Sequence, residues 1–281
     1  MIRLIAIVVW FSVLGAASIT PTIKCLAQGT AFPIFDALLY KNKPDLTRFG
    51  IRPMPVAYAS DLWNPGDTRD GVPSAERVQN FVRRAGQADL IVVDIEHWPL
   101  SGDKETVEES IHKYIETLER FKKTAPSSKI GLYSTVPQRA YWPAVLGWGS
   151  TRFRQWQRDN DTVEPIAEHA DILFVSLYTF YPSQIAWQRY AAANLREARR
   201  IAPGKPVYCF LWPQYHDSTR RAYEFVPVEH WKVQLNTCRR LADGIVIWGG
   251  VGEGGRMNGW LSWNDNAPWW KVTIEFAASA H

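Results

Sequence analysis

Two carboxylates close the segment ADLIVVDIEHWPL, Ala88 to Leu100. They are Asp94 and Glu96, followed by His97, Trp98 and Pro99. The run Leu90 to Val93 is apolar and β-branched, the pattern of a strand buried on both faces in a parallel sheet. On a continued strand, residues two apart point the same way and lie about 6–7 Å apart. Two carboxylates side by side at the end of a buried strand repel each other. Burial and repulsion drive their pKa values apart, into an acid and a base. That is the equipment for general acid catalysis, with a second, ionised carboxylate beside the acid. A plainer role also fits the spacing: a helix N-cap and a surface acid, because strand ends are also where helices are capped.

The elements that must position this pair alternate along the chain. Strands are expected near Phe35–Tyr40, Pro55–Tyr58, Leu90–Asp94, Lys129–Ser134, Ile172–Tyr178, Pro206–Leu211 and Gly244–Trp248. Amphipathic helices are expected between them. Ser74 caps one carrying Val78, Phe81 and Val82. Asp103 caps another with Val107, Ile111, Ile115 and Leu118 at helical spacing. Ser183 starts a third, and Pro227 opens a fourth. Alternation of this kind predicts an α/β fold with a parallel sheet and right-handed crossovers. A single seven-stranded TIM-like (β/α) barrel is the preferred closure, and an open doubly wound sheet is the alternative. No GxGxxG or P-loop follows any strand, so nothing points to a nucleotide. A length of 281 residues with 46% hydrophobic content suits one such domain.

In a β/α barrel the functional side chains gather at the C-terminal strand ends. Those ends offer Tyr58, the Asp94–Glu96 pair, Tyr133, Tyr178 and Tyr181, then Trp212, Tyr215 and His216, and finally Trp248, with Glu253 in a glycine-rich stretch beyond. Tyr141 lies in the loop past Tyr133. A ring of aromatics around carboxylates suits a carbohydrate cleft, where flat rings stack on sugars. Each aromatic taken alone is ordinary packing. The formal charge of +4 is modest, and no basic run is interleaved with aromatics, so no nucleic-acid partner is expected. No metal and no cofactor are expected either.

Residues 1–27 read as a secretory signal: Arg3, then the apolar run Leu4 to Leu14, which is too short to span a bilayer comfortably. Cleavage is expected after Ala17 or Ala27, with an uncleaved anchor as the alternative. Residues 28–281 then form one catalytic domain of a secreted or periplasmic protein, with no other membrane contact. Cys209 and Cys238 sit on apolar faces. They are expected to be buried small hydrophobes, although an oxidising compartment would permit a bridge between them.

The segment VVDIEHWPL resembles the Asp-x-Glu motif of the hyaluronidase family of glycoside hydrolases, where Asp-Trp-Glu-Glu-Trp-Arg-Pro is usual. Further segments are similar to that family in the same order: GLYSTVPQRAYW (Gly131 to Trp142), LYTFYPS (Leu177 to Ser183), NLREARRIAPGKPVYCFLWPQYHDS (Asn194 to Ser218) and DGIVIWGG (Asp243 to Gly250). The resemblance covers most of the chain after about residue 50 and implies a seven-stranded barrel. It implies that Glu96 is the proton donor. It also implies that Asp94 orients a 2-acetamido group whose carbonyl oxygen is the internal nucleophile. Tyr141, Tyr178 or Tyr181, and Trp248 would line the sugar subsite, and Trp212 and Tyr215 extend the expected substrate-binding set. The partner would be an oligo- or polysaccharide containing an N-acetylated amino sugar. The departures are His97 in place of the family's second Glu, no Arg in the Trp98–Pro99 region, and no disulfide framework. Two further readings stay open: a barrel that binds glycan without cleaving it, and a retaining glycosidase with Glu253 as a separate nucleophile.

Overall fold

The computed structural model describes residues 32–253, 255 and 259–280. The expected leader, residues 1–27, lies outside them. Among the described residues there are eight short strands: β1 (Ile34–Leu38), β2 (Ile51–Pro53), β3 (Val56–Tyr58), β4 (Leu90–Asp94), β5 (Lys129–Leu132), β6 (Leu173–Ser176), β7 (Val207–Leu211) and β8 (Gly244–Gly249). All their pairings are parallel, in the orders β2-β1-β8-β7-β6 and β3-β4-β5.

These eight strands make seven staves of one barrel. β2 and β3 are two halves of a single stave, interrupted at Met54–Pro55. The first half pairs with β1 and the second with β4. The break itself stays in the ladder: Met54 N donates to Asp36 O at 2.9 Å, and Val92 N donates to Pro55 O at 3.0 Å. Proline has no N–H to give, and a stave that changes partner is where that costs least. The other seam, between β5 and β6, closes through a Tyr133–Phe174 bridge. Ser134 N donates to Phe174 O at 2.9 Å and Asp171 N to Ile130 O at 2.8 Å across it. Gly131 makes the close approach possible, because a Cβ there would overlap the carbonyl of Ile172.

Strand alternation sorts the side chains into two cores. Phe35, Leu90, Val92, Tyr133, Phe174, Phe210 and Val246 fill the barrel interior. Ile91, Val93, Ile130, Leu173, Val175, Ile245 and Ile247 face outward, against the helices. Those helices are α1 (Ala59–Leu62), α2 (Ala75–Ala85), α3 (Lys104–Thr124), α4 (Tyr141–Leu146), α5 (Thr151–His169), α6 (Gln184–Ile201), α7 (Val228–Leu241) and α8 (Pro268–Ala278). The expected caps form: Ser74, Asp103 and Ser183 each accept from the backbone N–H three residues on. Among the described residues, no helix is long and apolar enough to cross a membrane.

The structure departs from the sequence-based expectation at several points. The strand Ile51–Pro53 and the helices α5 and α8 were not expected. Strands expected to run to Tyr40, Ser134 and Tyr178 stop at Leu38, Leu132 and Ser176. Cys209 and Cys238 are fully buried, as expected, but they are joined in a disulfide rather than lying as separate hydrophobes. Their Cα atoms are 6.2 Å apart, within reach of a bridge. The bridge ties the outer face of β7 to α7.

His230, on α7, is buried, and neither ring nitrogen finds a partner among the described residues. Burial pushes its pKa down to about 4, against about 6.5 in an unfolded chain. Between these values the unfolded chain binds a proton that the folded chain refuses, so stability falls as pH drops through this window. His230→Phe removes the titration. Urea unfolding at about pH 7 and about pH 4.5 should therefore show a smaller acid loss in the variant than in wild type, by roughly 2 kcal/mol.

Candidate active site

The parity that sends Leu90 and Val92 into the barrel carries on to Asp94 at the end of β4 and to Glu96 just beyond it. Both carboxylates line a cavity of about 410 Å³ at the C-terminal mouth. Asp94 is half-buried, and Glu96 is exposed at the rim. The segment carrying Glu96 is pinned from behind. Tyr114 of α3 donates its hydroxyl to Ile95 O at 3.0 Å and to Trp98 O at 3.3 Å. Trp98 Nε1 donates to Arg69 O at 2.9 Å. A fixed backbone on both sides of Glu96 lets its carboxylate face solvent without losing its place.

The opposite wall is aromatic. Tyr178 stacks on Trp248 with ring centroids 5.7 Å apart, and Trp212 meets Trp248 edge-on at 4.9 Å. Tyr133 lies 5.9 Å from Tyr178 and completes the wall. The two indoles are held by their polar edges, as buried Trp requires. Trp248 Nε1 donates to Tyr58 Oη at 2.9 Å, and Trp212 Nε1 donates to Gln214 Oε1 at 2.9 Å. Gln214 in turn donates to Tyr223 O and Val251 O at 2.7 and 3.1 Å, joining the loops after β7 and β8.

Burial raises the pKa of the Tyr178 phenol far above its usual range, and the neighbouring Tyr133 and the charge of Asp94 raise it further. Burial dominates at Tyr133 as well. Both therefore stay neutral hydrogen-bonding groups beside the carboxylates. His216 joins the rim, with Nδ1 2.8 Å from Ser218 Oγ and 3.0 Å from Asp217 Oδ1. Burial and the charge of Arg139 lower its pKa, against the opposing pull of Asp217. Among the described residues, no group of three or more His, Cys, Asp and Glu side chains is placed to hold a metal ion.

Of the expected site residues, Asp94, Glu96, Tyr178, Trp212 and Trp248 share this cavity. Tyr141, Tyr181 and Tyr215 are placed elsewhere. Tyr141 opens α4 and packs against Tyr181 at 4.6 Å and Tyr190 at 5.2 Å. Tyr181 and Tyr215 line a separate cavity of about 540 Å³ with Arg220 and Arg221. The hydroxyl of Tyr215 is engaged by Arg221 at 3.0 Å. The reason is chain direction. After Ser176 and Leu211 the strands have ended, so strand parity no longer governs residues four or five positions on.

Arg139, Asp217 and Tyr223 also line the main cavity and were not expected there. Arg139 supplies the cavity with a guanidinium that the Trp98–Pro99 region lacks. Its loop is held by α5: Asn160 Oδ1 accepts from Gln138 N at 2.8 Å, and Trp156 Nε1 donates to Gln138 O at 2.8 Å. The sequence TVPQRAYW showed the arginine but not the helix that aims it.

No protein-family model matches the chain, and no curated protein matches it in sequence. Solved structures do match in fold. The crystal structure of bee venom hyaluronidase has 16% identity and a TM-score of 0.57, over 88% of this chain and 96% of that one. The same enzyme in complex with a hyaluronic acid tetramer has 15% identity and a TM-score of 0.56, over 88% and 95%. A modular endo-β-1,4-mannanase from Cellulomonas fimi has 14% identity and a TM-score of 0.51, over 83% of this chain and 55% of that one. The chain therefore has the parallel α/β barrel fold of these glycoside hydrolases.

The aromatic wall makes a prediction about binding. If the cavity holds a glycan, then in a Glu96→Gln background Trp248→Ala should weaken its affinity at least about tenfold by calorimetry, or about 1.4 kcal/mol. Trp142→Ala, at a side chain 49% exposed and outside the cavity, should change it less than about twofold.

Proposed function

We propose that this chain is a secreted or periplasmic glycoside hydrolase acting on a sugar with a 2-acetamido group. The observation that carries the reading is a single cavity with two carboxylates on one wall and Tyr178, Trp212 and Trp248 packed together on the other. A sugar ring presents apolar faces to the aromatics and hydroxyls to the neutral phenols. Its anomeric carbon then lies within reach of the carboxylates. The Cys209–Cys238 disulfide supports an oxidising compartment.

In this mechanism Glu96 is the general acid and Asp94 holds the amide. The acetamido oxygen donates an electron pair to the anomeric carbon. The bond from that carbon to the leaving oxygen breaks, its pair stays on oxygen, and the proton of Glu96 completes a neutral alcohol. Asp94 accepts the amide N–H and balances the positive charge of the cyclised intermediate. Water then attacks the anomeric carbon, the Glu96 carboxylate takes its proton, and the amide reopens. One water is consumed and configuration is retained. Placing the attacking oxygen in the same molecule gives the advantage of an intramolecular reaction.

The test begins with a screen of oligosaccharides. Glu96→Gln keeps the shape and removes the transferable proton, so turnover should drop at least about a hundredfold. A folded Glu96→Gln protein with wild-type hydrolysis would remove Glu96 from the mechanism. Failure of the wild type to cleave any glycan that it binds would leave a glycan-binding barrel.

Asp94→Asn should lower kcat more than it raises KM, because charge on Asp94 matters after cyclisation begins. Matched substrates with 2-acetamido and 2-hydroxyl groups separate this route from one using a protein nucleophile. Equal rates on the pair, or a covalent sugar trapped on the exposed Glu253 beyond β8, would favour the two-carboxylate alternative.

A further inference from the structure

Glu96 is a partition between two cavities. On one side is the aromatic-walled cavity with Asp94. On the other is a second space of about 240 Å³, between the loops that follow β4 and β5. Glu96, Tyr133 and Arg139 line both, whereas Asp94, Tyr178, Trp212 and Trp248 line only the first. We infer that the second cavity receives the leaving-group sugar, so that the scissile bond crosses the partition at Glu96. This rests on the glycosidase reading above and adds which side of the cleft holds which sugar.

The geometry follows from what a general acid must touch. Its proton goes to the oxygen between two sugars, within about 2.6–3.2 Å. The sugar that reacts must sit with Asp94, which lines only the aromatic side. The other sugar therefore extends beyond Glu96. The second cavity suits it in chemistry as well as position. Its lining carries Ser134, Thr135, Gln138 and Arg139 beside the ring of Trp98. Gln138 spends its amide hydrogens on Leu100 O and Asp159 O, at 3.2 and 3.3 Å, which fixes the side chain and leaves its oxygen to accept from a hydroxyl. Ser134 is held at φ +56°, a left-handed conformation that non-glycine residues avoid and that clusters at binding and catalytic sites. A hydroxyl-rich, weakly apolar pocket holds a departing sugar without retaining it, which release requires.

Pro99 lines the second cavity only, and it is exposed, so a large side chain there fills the space without disturbing a core. Pro99→Trp and wild type are compared on two substrates. One is the oligosaccharide cleaved best in the screen. The other is N-acetyl-β-glucosaminyl fluoride, whose leaving group is a single atom and needs no second sugar site. The ratio of kcat/KM on the oligosaccharide to that on the fluoride should fall at least about tenfold in Pro99→Trp. Turnover of the fluoride by the variant also certifies its fold. A ratio within about threefold of wild type would overturn the assignment of the second cavity while leaving the glycosidase reading intact. A wild type that hydrolyses neither substrate would sink both.

Discussion

Everything at the mouth of this barrel depends on one geometric rule: side chains on a strand alternate, and a closed barrel gives each strand one inside. Leu90 and Val92 are committed to the interior by their neighbours. Asp94 then has no choice of direction, and Glu96 inherits it. The same parity on β6, β7 and β8 aims Tyr178, Trp212 and Trp248 at the same space. The hydrophobic filling of the barrel and the orientation of the candidate chemistry are thus a single choice. A one-residue register slip in any of these strands would turn its polar or aromatic end toward the helices.

That rule also explains how much could be read from the chain alone. The seven staves, the carboxylate pair and three of the six expected aromatics followed from apolar runs and their ends. The stave broken at Met54–Pro55 was half-seen, because Pro53 and Pro55 hide the alternation of Ile51–Tyr58. Helix α5 was missed because it is polar and contains Pro165. Its buried spacing includes Asn160, which lies against the buried carboxylate of Glu197. Arg139 went unassigned for the same reason, since α5 is what fixes its loop. Tyr141, Tyr181 and Tyr215 do not line the main cavity, because they lie beyond the strands, where periodicity carries no information about direction.

The two walls of the cavity are built differently. The carboxylate wall is fixed through its backbone, by the Tyr114 hydroxyl and the Trp98 indole, leaving the acid itself in water. The aromatic wall is fixed through its side chains, by indole N–H bonds to Tyr58 and Gln214. Under the proposed reading, Glu96 as an acid that exchanges protons needs solvent on one face, whereas a stacking surface that excludes water needs none.

The Cys209–Cys238 bridge lies on the outer side of this arrangement, yet Cys209, on β7, precedes Trp212 at the strand's end by only three residues. In a thiol-rich cytosol the two cysteines would stay reduced and that fastening would not form. Material made there and material made in an oxidising compartment would then be two preparations of one sequence, differing in how firmly the sixth stave is anchored to its helix. A comparison of such samples should record thiol content before any difference in behaviour is attributed to the cleft.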